Sequence, residues 1–132
     1  MAYDYETEKE RVESVYQKWR PILGLDSWDI ARNFHDGEFV EDDGSPSQGA
    51  VASTAARWQY QHGSIDFNLR RTADLPENRL EGVVIHECMH ILLNEMRSLC
   101  TKGHKIAIKH EERVCTMLAW AFMRTQMTED EA

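Results

Sequence analysis

Val12, Val15, Tyr16 and Trp19 recur at helical spacing among charged residues, which predicts an amphipathic helix from about Asp4 to Arg20 that stops at Pro21. Leu23-Gly24-Leu25-Asp26 reads as a turn, and the alternation from Trp28 to Phe34 as a strand with Trp28, Ile30 and Phe34 facing inward. Strict alternation returns in Ser64-Ile65-Asp66-Phe67-Asn68-Leu69. With the alanine-rich segment Ala50 to Tyr60 before Gln61-His62-Gly63, it predicts a hairpin. Pro76 suits the start of a helix, and Leu80, Val83, Val84, Ile91, Leu92, Met96 and Leu99 carry that helix to about Leu99 with apolar residues around much of its circumference. Gly103 separates it from a last helix, about Ile106 to Gln126, whose apolar face holds Val114, Cys115, Leu118 and Phe122. The pattern therefore predicts an α+β fold: an N-terminal helix, a small three-stranded antiparallel sheet, a central helix and a C-terminal helix.

The 132 residues suit a single domain with one core. Residues 35 to 49 are rich in acids and turn formers and read as a solvated loop with nothing to bury and no chemistry. Trp58 and Tyr60 fit either a pocket or the core, and Trp120 the core. The formal charge of -8 is concentrated in residues 1 to 50, where twelve acids face five bases, and such a surface disfavours nucleic acid as a partner. The first residues have neither a basic nor an apolar signal region, and the longest apolar run, Met117 to Met123, is too short to span a bilayer. A cytoplasmic protein without a membrane partner is expected. Cys88, Cys100 and Cys115 form no CxxC pair and read as reduced thiols.

The chemistry is expected in His86-Glu87-Cys88-Met89-His90, inside the central helix. Histidines four residues apart project from one helical face, where both imidazoles can chelate one Zn²⁺. Glu87, one residue round, flanks the pair and can serve as general base toward a zinc-polarised water. Two imidazoles and a carboxylate among Val83, Val84, Ile85, Ile91, Leu92 and Leu93 are costly to bury without a partner, and a metal supplies one.

A catalytic zinc takes three protein ligands, so a third must come from elsewhere. Asn94 carries an amide, a poor ligand, and Glu95 and Cys100 lie on the motif's own helix or at its end, which points to the last helix. There Glu111 lies near the centre of the apolar face and Glu112 at its edge, and a carboxylate heading a buried stripe has a reason to point at the metal. His104, in the Lys-rich turn before that helix, is the alternative and would give a three-histidine site. His35, His62 and His110 read as surface residues without partners.

With these residues the chain resembles the compact HExxH zinc metallopeptidases of the gluzincin type, in particular small metallopeptidases encoded by phages. The resemblance rests on the first helix followed by Leu23-Gly-Leu-Asp-Ser-Trp28-Asp-Ile30, on Ser64-Ile-Asp-Phe-Asn-Leu69, on Val84-Ile-His86-Glu-Cys-Met-His90 and on Glu111-Glu-Arg-Val-Cys-Thr-Met-Leu-Ala119. It departs from the family at Cys88-Met89, where aliphatic residues are commoner, without touching the ligands. The resemblance implies a zinc-dependent hydrolase that cleaves a peptide or protein substrate, in the host cytoplasm if the chain is phage-encoded. It also implies that the sheet's edge strand, expected at residues 62 to 69, binds an extended peptide beside the zinc. In the last helix it favours Glu112, whereas the apolar face favours Glu111, and the choice stays open. Two other readings stand beside it: a metal-stabilised protein-interaction module without catalysis, and a SprT-like three-histidine metalloprotease.

Overall fold

Asp4 accepts a hydrogen bond from the Thr7 backbone N–H at 2.9 Å, and Glu6 and Glu8 occupy the first turn, so acceptors and negative charge meet the positive end of helix α1 (Tyr5–Ile22). The computed structural model describes residues 2–40, 44, 46–47, 49–100 and 104–125. Helix α1 runs through Pro21 to Ile22, two residues further than the sequence predicts, because so close to the end a proline forfeits a single backbone bond. The stop belongs to Gly24, at φ +73°. There the Leu25 N–H reaches the Arg20 carbonyl at 3.0 Å and the Gly24 N–H reaches that of Pro21 at 3.1 Å, a glycine-dependent C-cap.

Three strands follow, β1 (Asp29–His35), β2 (Ala52–Arg57) and β3 (His62–Asn68), in the spatial order β1-β3-β2. Strands β2 and β3 are the antiparallel hairpin that the alternation predicts, but β2 ends at Arg57. A single 3₁₀ turn (Trp58–Tyr60) and Gln61, at φ 53°, then make the connection. The expectation of an antiparallel sheet does not hold, since β1 runs parallel to β3, with Asp29 opposite His62 and His35 opposite Asn68. The sheet is mixed because the sixteen-residue connection between β1 and β2 lets the chain take the far edge first and return through the middle. Residues 62 to 69 are accordingly central rather than an edge. Ile65 and Phe67 of β3 are fully buried, as suits a strand paired on both sides, and β2, whose side chains are mostly half-buried, is an edge, as is β1.

A single-turn helix α2 (Leu69–Thr72), capped by the Asn68 side chain, leads to α3 (Glu77–Ser98) and then to α4 (His104–Thr125). Helix α3 lies close on the sheet at Gly63, where an added Cβ would sit 3.2 Å from Ile91 Cδ1. One buried cluster joins Val12, Tyr16 and Trp19 of α1, Ile30 and Ile65 of the sheet, Leu80, Val84, Ile85 and Ile91 of α3, and Cys115 and Ala119 of α4. The fold is α+β, with α4 packed along α3.

Two smaller expectations change. The segment after β1 does bury a side chain, Phe39, which stacks on His35 with ring centroids 5.1 Å apart, and Val40 bridges to Pro46. His35 itself bonds Asp66 at 2.8 Å, and the exposed His62 lies 4.0 Å from an Asp29 oxygen, so both have partners, whereas His110 is exposed as predicted. Among the described residues no helix is long and apolar enough to cross a membrane.

Candidate metal centre

Helical spacing brings His86 and His90 of α3 together with ring centroids 4.9 Å apart and Nε2 atoms 3.2 Å apart. Glu112, from the first half of α4, lays its carboxylate across both: Oε2 is 3.1 Å from His86 Nε2, and Oε1 is 2.9 Å from His90 Nε2. Glu111 turns the other way, accepting at 2.9 Å from His90 Nδ1, while its second oxygen takes the Arg97 Nε–H at 2.5 Å. The two glutamates therefore occupy different places. The buried position that made Glu111 attractive puts it under the imidazole, whereas the edge position of Glu112 opens onto the paired Nε2 atoms.

The hydrogen bonds fix the tautomers. A carboxylate salt-bridged to arginine can only accept, so His90 carries its proton on Nδ1 and leaves a lone pair on Nε2. At His86, Nδ1 lies 3.2 Å from Thr116 Oγ1, and the Thr116 hydroxyl already donates to the Glu112 carbonyl at 3.1 Å. With its hydrogen so directed, the hydroxyl accepts from Nδ1–H, the arrangement in which His86 Nε2 is also a lone pair. Two nitrogen lone pairs and a carboxylate thus face one another with no proton assigned between them. A cation among these atoms, a metal ion or a proton on one imidazole, removes their mutual repulsion.

His86, His90 and Glu112 form a group that could hold a metal ion, and the separations fit one. Tetrahedral bonds of about 2.0–2.1 Å put neighbouring ligand atoms roughly 3.3 Å apart. The observed 2.9 to 3.2 Å is a few tenths of an ångström inside that. A second grouping, His90, Glu111 and Cys115, is less suited. Its imidazole nitrogen carries the proton, Glu111 is committed to Arg97, and burial pushes the Cys115 thiol up to about 12, helped by Glu111 and Glu112. Cys88 is buried too, its thiol likewise pushed up to about 12 by burial, and Cys100 is exposed.

Glu87 stands beside the cluster without joining it, its Oε2 4.0 Å from His86 Nε2. Thr54 of β2 donates to the other oxygen at 2.9 Å. Burial raises the Glu87 pKa, against the opposing pull of His90, His86 and the Thr54 hydroxyl, so the carboxylate is more basic than an ordinary glutamate. A cavity of about 590 Å³ opens over the site between the β2 edge and the two helices, with His86, Glu87, His90 and Glu112 in its wall.

The other candidates lie elsewhere. Asn94 Oδ1 accepts from the Trp58 backbone N–H at 3.2 Å, holding the 3₁₀ turn to α3, and Glu95 and His110 are exposed. His104 opens α4, and its side chain lies outside the described residues. Trp120, expected in the core, is 55% exposed. Three residues of the site were missed. Arg97, seven after His90, and Thr116, four after Glu112, share helical faces with residues already singled out, so spacing could have found them. Thr54 carries no such signal, because its place depends on how β2 lies against α3. No protein-family model matches this chain, and neither does any curated protein or any solved structure.

Proposed function

We propose that the protein is a zinc-dependent hydrolase that cleaves peptide bonds, with His86, His90 and Glu112 as metal ligands and Glu87 as general base. The observation that carries this reading is the convergence of two Nε2 lone pairs and both Glu112 oxygens within 3.2 Å, each imidazole oriented from behind through Nδ1. A donor set of two imidazoles and one carboxylate suits zinc, and it matches the resemblance to gluzincin-type peptidases. Bound there, zinc supplies Lewis acidity toward a water and a carbonyl oxygen. Glu87, held by Thr54 at Oε1, takes a proton at its other oxygen and passes it to the leaving amine. Strand β2 edges the cavity, where an extended peptide can lie alongside its backbone.

The open cavity over the cluster supports catalysis over the interaction-module reading. The test is metal analysis of wild type, His86→Ala and Glu112→Ala, then a peptide-library digest with Glu87→Gln as control. The expected results are one zinc per chain in wild type, loss of metal in both alanine variants, and cleavage that Glu87→Gln lowers by about 10²–10⁴ with zinc retained. A wild type without zinc, or equal cleavage by Glu87→Gln, would contradict the reading.

A further inference from the structure

Gly82 sits inside α3, one turn before His86 and on the same face. Glycine weakens a helix interior relative to alanine, and nothing in the local packing demands it. Its φ is not in the left-handed region, and an added Cβ would meet only Met123 Sδ, at the ordinary distance of 3.6 Å. What the missing side chain leaves is space. Gly82 lines a second cavity of about 310 Å³, which shares Ala52, His86 and Glu87 with the larger one and is walled by Val83 and by the exposed ring of Trp120.

We propose that this cavity is the side-chain pocket for a large apolar or aromatic residue flanking the cleaved bond, kept open by Gly82 and with Trp120 as its wall. The proposal rests on the zinc-peptidase reading and adds to it the substrate preference. Because Ala52, His86 and Glu87 wall both cavities, an occupant of the smaller one lies beside Glu87. Trp120 in turn has a use on the surface: its apolar face is covered when the pocket is filled.

Binding of peptide hydroxamates to the zinc-loaded protein, read by calorimetry, tests this without turnover, because the hydroxamate anchors every probe on the metal. Two series are needed, with glycine, leucine, phenylalanine or aspartate on either side of the chelating group. In one series leucine and phenylalanine should bind roughly tenfold or more tighter than glycine, as expected for burying a large apolar side chain. Gly82→Leu should abolish that preference. Gly82→Ala should raise the Tm and narrow the preference, and Trp120→Ala, altering an exposed side chain, supplies the same comparison should Gly82→Leu fail to fold. Equal binding of all side chains in both series would overturn the pocket while leaving the metal in place. Failure of every hydroxamate to bind would bring down the metal reading and this proposal with it.

Discussion

Glu111 and Glu112 are adjacent in sequence and do different work in space, which makes them the sharpest test at the level of single residues. Glu112 faces the paired Nε2 atoms, and Glu111 holds His90 from behind with Arg97 fixing its second oxygen. Glu111→Gln should therefore weaken zinc about 10–100-fold, the usual effect of losing an orienting partner, while Glu112→Gln, which removes a ligand, should weaken it further. Competition against a chromophoric chelator reads both, and the reverse order would contradict the assignment. Thr54→Val removes the hydroxyl that donates to Glu87. A lost charge-assisted hydrogen bond of about 1.5 kcal/mol predicts roughly a tenfold fall in kcat, with zinc affinity unchanged. Sequence alone brought both glutamates into consideration but could not order them. The apolar stripe marks which of them is buried, and here the buried one is not the one that faces the paired Nε2 atoms, because those atoms open toward a cavity rather than toward the core.

At the level of elements, helix pattern was legible and strand order was not. Helical faces are written in local spacing, so α1, α3 and α4 fall close to their predicted bounds and His86 and His90 share a side. Neighbourhood in a sheet is set by where a connection carries the chain, and residues 36 to 51 take β2 to the far edge, which made β3 central and β2 the strand beside the site. One joint between elements gives a pH prediction. Glu13 of α1 takes two hydrogen bonds from Arg32 of β1, at 2.8 and 3.0 Å, and Arg32 lies over the Tyr16 ring. Partial burial raises the Glu13 pKa, but the bonds from Arg32 and Gln17 outweigh it and leave the carboxyl below its ordinary value of 4.5. A depressed folded-state pKa means a contribution present above the unfolded value and lost as pH falls through the folded one. Urea unfolding should show Glu13→Gln less stable by about 1 kcal/mol at pH 7, the gap closing below roughly pH 4. A gap that widened on acidification would contradict this.

For the molecule as a whole, His86 and His90 tie α3 to α4 through four contacts with Glu111, Glu112 and Thr116, so occupancy of the proposed centre by a metal should stabilise the fold. Zinc at about a thousand times its Kd contributes about 4 kcal/mol by linkage, a rise in Tm on the order of 10 °C or more for a chain of this size. His86→Ala should show no comparable rise. Zinc K-edge X-ray absorption reads the donor atoms themselves. One zinc is expected, with two imidazole nitrogens and carboxylate oxygen at about 2.0–2.2 Å and no sulfur. A protein that retains no zinc, or a sulfur scatterer at about 2.3 Å placing a cysteine such as Cys115 on the metal, would contradict it.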